Sequence, residues 1–103
     1  MSANDPSSEG PGRIRRLEPT DDVVGQRLGD EVVLVSLETN RIFELNRTSG
    51  RFWELLQEET DRDRIEERLL EEFDVTEAEL SGEVDRLISS LADERLVRVL
   101  EHD

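Results

Sequence analysis

The hydrophobic period of this chain changes within two residues. Arg41-Ile-Phe-Glu-Leu45 alternates, and a helical repeat opens just after Asn46. Phe43 and Leu45 fall on one face of the first segment and Ile42 and Glu44 on the other, as the two-residue repeat of a strand requires. Beyond the junction Phe52, Leu55 and Leu56 share one helical face with Trp53 beside them, and Thr48 or Ser49 supplies a cap.

The segments on either side extend this pattern. Val23 to Leu28 and Glu31 to Leu37 are β-branched and apolar, and Gly29-Asp30 between them suits a tight turn, which makes a hairpin. A second turn at Glu38-Thr39-Asn40 leads into the alternating segment and completes an antiparallel meander. Downstream, Thr60-Asp-Arg-Asp63 caps a helix carrying Ile65, Leu69, Leu70 and Phe73. Thr76-Glu-Ala-Glu79 has the form of a capping box and opens a third helix with Leu80, Val84, Leu87, Ile88 and Leu91 on one stripe. Leu96 to Leu100 alternates and closes the domain as a short strand or a final turn. The expected class is α+β, a winged helix-turn-helix-like fold with a three-stranded antiparallel sheet followed by three helices and no internal repeat. The folded domain is expected over residues 22–100. Residues 1–21 are expected to form a disordered or loosely ordered tail, because Met1 to about Gly12 has almost no apolar residues. Arg13-Ile-Arg-Arg-Leu17 is a short basic segment with two readings, an added strand or partner contact and, favoured over it, a solvated lead-in.

A chain of 103 residues has room for one core and no deep active site. It has no cysteine, so thiolate chemistry and disulfides are excluded, and its only histidine, His102, is next to last. The acidic pairs Glu58-Glu59, Glu66-Glu67 and Glu71-Glu72 read as solvated helix faces rather than catalytic pairs, which need a concave, partly dry setting. Gly25, Gly29, Gly50 and Gly82 do not form a phosphate-cradling loop. No enzyme activity, metal or cofactor is expected. No apolar run approaches the ~20 residues of a membrane span, and the N-terminus lacks the regions of a signal peptide, so the expected location is the cytoplasm, with no membrane partner.

The net charge of −14 is concentrated in the second half: residues 54 to 103 carry 18 acidic and 6 basic side chains, against 9 and 7 in residues 1 to 53. Strands with helices also suit a winged-helix DNA-binding regulator. Charge argues against it. A reading helix presents Arg, Lys, Asn or Gln to the groove, whereas Asp63, Glu66, Glu67, Glu71, Glu72, Glu77, Glu79 and Glu83 line the second and third helices. No nucleic-acid partner is expected.

Phe43-Glu-Leu-Asn-Arg-Thr48, Phe52-Trp-Glu-Leu-Leu56, Phe73, Val84-Asp-Arg-Leu-Ile88, Leu91 and Arg95-Leu-Val97 stand in the order and at the distances of the PqqD-like family, which this chain resembles from about Asp22 to Val97. Two departures stand out. Arg95 replaces the family's usual glycine, and Gln57-Glu-Glu-Thr60 replaces a Gly-Thr turn often found after the first helix.

The resemblance implies a free-standing recognition element for ribosomally synthesised, post-translationally modified peptides. It implies no catalysis. The leader segment of a precursor peptide would add as an antiparallel strand to the third strand, with its apolar side chains entering a groove against the third helix. Carried over, Arg41, Ile42, Phe43, Glu44 and Leu45 supply the edge, and Val84, Asp85, Ile88, Leu91 and Ala92 the helical wall. Phe43, Leu45, Leu87 and Leu91 are expected to be chiefly core. Ile42, Glu44, Asp85 and Ile88 are expected to make contact, and Arg41, Arg47 and Arg51 are candidates to meet acidic leader residues. The implied partner enzyme is a lasso-peptide leader peptidase; the runner-up is the pyrroloquinoline quinone pathway protein, or a relative that serves a radical SAM enzyme.

Overall fold

The structure, a computed structural model, describes residues 13–102; the tail expected from Met1 to Gly12 lies outside them. Among these residues five strands and three helices follow one another in the order β1 (Ile14–Pro19), β2 (Val23–Leu28), β3 (Glu31–Ser36), β4 (Ile42–Leu45), α1 (Arg47–Leu56), α2 (Arg62–Glu72), α3 (Glu77–Asp93) and β5 (Val97–His102). Strands β2, β3 and β4 form the expected antiparallel meander, and β1 pairs antiparallel with β5 in a second, two-stranded sheet.

Turn chemistry fixes the meander. Gly29 (φ 64°) and Asn40 (φ 63°) adopt the left-handed conformation that these two residues tolerate best, one in each connection. Side chains on the inner face, Val32, Leu34 and Leu45, pack with Phe52, Trp53 and Leu56 of α1, Ile65 and Leu69 of α2, and Leu80, Val84, Ile88 and Leu91 of α3 into one core. At Gly50 a Cβ would stand 2.8 Å from Val32 Cγ2, so glycine lets α1 approach β3 this closely.

Each helix begins on a side-chain cap. Thr76 and Glu79 form the capping box read from the sequence. In α1, however, Asn46 is the cap, its Oδ1 accepting from Ser49 N at 2.9 Å, and not Thr48 or Ser49. Helix α3 ends in a Schellman motif: Arg95 N donates to Ala92 O at 3.0 Å and Leu96 N to Leu91 O at 2.9 Å. Arg95 sits at φ 61° in the position where glycine is favoured, which explains the family's usual residue there and identifies Arg95 as a strained substitution.

The segment Arg13–Leu17 is not a solvated lead-in. It enters β1, where Leu17 is fully buried in the core opposite Val99, and packed structure therefore begins before Asp22. A second correction concerns Glu66, expected on a solvated face. It is 8% exposed and accepts from Nε of Arg62 at 2.6 Å, and Arg62 is itself 1% exposed. Arg62 also donates to Asp85 Oδ1 at 2.5 Å and to the carbonyls of Ser81 and Ile14, so one buried guanidinium ties β1, α2 and α3 together.

Candidate functional site

Among the described residues strand β4 has one partner, β3, and its other edge is free. The ladder shows which groups that edge offers. Ser36 N donates to Arg41 O at 2.9 Å, so the 36/41 pair is hydrogen-bonded, and the register then makes Leu34/Phe43 and Val32/Leu45 the next bonded pairs. The N–H and C=O groups of Ile42 and Glu44 consequently point away from the sheet. They stand ready to pair with an added chain.

Beside this edge lies a cavity of about 790 Å³. Arg41 to Leu45 form one side, Leu87, Ser90 and Leu91 of α3 with its C-cap Glu94 the other, and Asn46 and Ser49 at the start of α1 lie along it, with Leu96. Phe43 and Leu87 are half-buried and present apolar surface. Arg41 closes the end near Glu94: its guanidinium donates to Glu94 Oε1 at 2.8 Å and lies 5.2 Å from the centre of the Phe43 ring. Past Leu87 the surface continues as a shallower recess between Asn46, Ser49, Glu83 and Arg86.

The structure thus brings Arg41, Ile42, Phe43, Glu44, Leu45 and Leu91 together, and it separates the other residues expected to form the wall. Val84 and Ile88 are core residues, Ile88 only 2% exposed, and neither faces the groove. Asp85 is engaged by Arg62. Ala92 packs against the core outside the groove. The wall is the stripe Leu87, Ser90, Leu91 and Glu94, rotated by about one residue from the expected one. Of the three candidate arginines only Arg41 stands at the groove. Arg47 lies 5.1 Å over the Phe73 ring, and Arg51 donates to Glu72 at 2.8 and 3.0 Å. Among the described residues no cluster of acidic or histidine side chains could hold a metal ion, and no helix is long and apolar enough to cross a membrane.

Fold and groove define a winged-helix-like domain with an open sheet edge facing a helical wall. Residues 31–97 match the family model of coenzyme PQQ synthesis protein D (PqqD), and the chain belongs to that family. No curated protein matches it. Among solved structures it is similar to one described as TbiB1 in complex with the TbiA(beta) leader peptide, at 27% identity and a TM-score of 0.74 over 82% of this chain and 98% of that one. It shares its fold with lasso peptide synthetase B1 complexed with the leader peptide, at 14% identity and a TM-score of 0.70 over 81% and 98% of the two chains.

Proposed function

We propose that this protein binds the leader segment of a ribosomally synthesised precursor peptide by strand addition to β4 and presents it to a separate maturation enzyme. The observation that carries this reading is the combination of free backbone groups at Ile42 and Glu44 with a groove whose apolar part is formed by Phe43, Leu87 and Leu91. Backbone pairing gives affinity with little sequence bias, while side chains of the added strand that point toward Phe43 and Leu45 meet the groove and supply selectivity. Arg41, bridging Phe43 and Glu94, offers a cation to an acidic leader residue at one end. TbiB1, which holds a leader peptide, covers most of this chain. That supports leader binding, and the description of the second structure as a lasso peptide synthetase B1 favours the lasso-type reading, in which the enzyme is a leader peptidase acting in the cytoplasm. The family description favours a second reading, service to a radical SAM enzyme in coenzyme PQQ synthesis. The neighbouring genes distinguish the two.

The protein itself acts by binding and not by catalysis. Calorimetric titration with the cognate leader, and mass spectrometry of the precursor after incubation with the protein alone, test both statements. Leu87→Asp places a carboxylate at the half-buried wall, where its desolvation on leader docking weakens binding about tenfold or more, with folding retained. Unchanged affinity for a folded Leu87→Asp protein removes the groove from the reading, and a precursor mass change removes the non-catalytic role.

A further inference from the structure

Among the described residues the sheet has a second free edge, on β2. Leu37 N donates to Asp22 O at 2.7 Å, so Asp22/Leu37 is a bonded pair, and the register makes Val24/Val35, Gln26/Val33 and Leu28/Glu31 bonded in turn. The N–H and C=O groups of Val23, Gly25 and Arg27 therefore point outward. A cavity of about 500 Å³ lies beside them, between β2 and α1, with Gly25, Arg27, Trp53 and Glu54 on its walls.

Trp53 is the unexplained group here. It is 5% exposed, yet its indole N–H has no hydrogen-bond acceptor among the described residues. Buried indole N–H groups usually find a partner. This one lies beneath Gly25, where a Cβ would stand 2.8 Å from Nε1, so the missing side chain leaves the nitrogen approachable across the strand. A chain added to β2 would place the residue opposite Gly25 in a hydrogen-bonded pair with its side chain on the inner face, toward that nitrogen. An amide or carboxylate at that residue supplies the missing acceptor.

We propose that the β2 edge with Trp53 is a second strand-accepting site, whose occupant is an extended segment of the maturation enzyme carrying Asn, Asp, Gln or Glu opposite Gly25. The identity of the occupant rests on the function proposed above, because a leader held at β4 leaves β2 free for the enzyme. A second copy of this chain does not fit: antiparallel β2–β2 pairing about Gly25 sets glycine against glycine and leaves both indoles without acceptors. Arg27, Arg51 and Arg68 line this cavity with Glu54 and Glu58, and the arginines are paired with Glu54 and Glu72, so the acceptor in the added segment is called for by the indole N–H and not by unpaired charge. The adjoining outer face also suits a partner with a folded body. There Val24, Leu28, Leu37 and Ile42 are exposed on the face away from the helices, beside the acidic Asp22, Glu31 and Glu44.

Trp53 is the only tryptophan, so its indole N–H gives a single resonance in a ¹H–¹⁵N correlation spectrum. The probes are short capped peptides of alternating Thr and Val with Asn, Asp or Ala at the centre, and separately the purified cognate leader protease. Asn and Asp peptides should shift the indole and the Val23, Gly25 and Arg27 amides, and bind about fivefold or more tighter than the Ala peptide. The protease should shift the same resonances and be displaced by the Asn peptide. Gly25→Ala should abolish both effects; should that variant fail to fold, Trp53→Phe keeps a ring in the core, lacks the donor and should erase the preference for Asn over Ala. The proposal is overturned if the peptides shift only Ile42 and Glu44, if Asn and Ala bind equally, or if the bound protease leaves the β2 amides unmoved. Leader titration in the same samples reads β4 separately: leader binding without protease contact at β2 defeats this inference alone, and protease contact without leader binding defeats the proposed function alone.

Discussion

The two free edges of one three-stranded sheet expose their backbone in opposite ways. On β4 the unpaired groups belong to Ile42 and Glu44, whose side chains lie on the outer face, while the groove is bordered by Phe43 and Leu45, which are bonded to β3. A strand added there turns its groove-facing side chains inward at positions that do not hydrogen-bond to β4, so backbone pairing and apolar selection fall on alternate residues. On β2 the unpaired groups belong to Val23, Gly25 and Arg27, which lie on the inner face of the sheet. The residue that pairs there is the residue that reaches Trp53, which concentrates recognition on one polar anchor. A single register thus gives one sheet an edge that separates backbone pairing from side-chain selection and another that joins them at one residue.

The largest expected effect sharpens the border between groove and core. Ile88→Asp buries an unpaired carboxylate at a site 2% exposed, and it should cost more than about 4 kcal/mol and leave the chain largely unfolded. Thermal unfolding followed by circular dichroism reads this directly. A folded Ile88→Asp protein of near-parental stability would mean that α3 is rotated and that Leu87 is not the wall.

Next in size is Ile42→Pro. The Ile42 N–H points to the free edge, so proline removes no bond between β3 and β4, and edge strands accept proline at such positions. Stability should stay close to the parent. Leader affinity should fall by about tenfold or more, because a leader carbonyl loses its donor and cannot recover it on docking. Binding of Asn peptides at β2 should not change. Loss at both edges would show that the two are not independent, and loss at neither would remove strand addition at β4.

How far these edges could be read from sequence follows from the physics of each part. The meander and the three helices announce themselves through local period and turn chemistry, and β4 was legible because Arg41 to Leu45 alternates so cleanly. The helical wall was not: Leu80, Val84, Ile88 and Leu91 make one stripe, Leu87, Ser90 and Glu94 make its neighbour, and only tertiary packing decides which flank meets β4. Strand β1 was only the less favoured reading of its segment because its alternation is broken. Register irregularities between Ile14 and Arg16 and between Arg16 and Leu17 let Ile14 and Leu17 both pack on the core despite their odd spacing, and the partner β5 lies at the far end of the chain. Glu66 looked solvated because nothing local reveals that Arg62 is buried beside it. The Asn46 cap, by contrast, was readable: it stands three residues before the Ser49 N–H that it accepts from.

The smallest expected effect separates the edges by acid. Near β2, Arg27 donates to both oxygens of Glu54 at 2.7 and 2.6 Å, and Arg51 bridges Glu54 to Glu72. The hydrogen bonds from Arg27 hold the Glu54 carboxyl below the usual carboxylate range, and those from Arg51 do the same for Glu72. A carboxyl whose pKa is depressed by folding contributes stability that is fully present above its unfolded value of 4.5 and is lost as pH falls through the lower folded value. Unfolding by denaturant at stepped pH should therefore show a loss of stability below about pH 4.5 that Glu54→Gln reduces. These groups are partly solvated, so the Glu54 contribution should be no more than about fivefold in the folding equilibrium, and salt should shrink it. The β4 edge depends on backbone pairing and the surface of Phe43 and Leu87, which do not titrate. Glu54→Gln should accordingly leave leader affinity at neutral pH unchanged, and a drop there would show that the charge network beside β2 reaches across the sheet to β4.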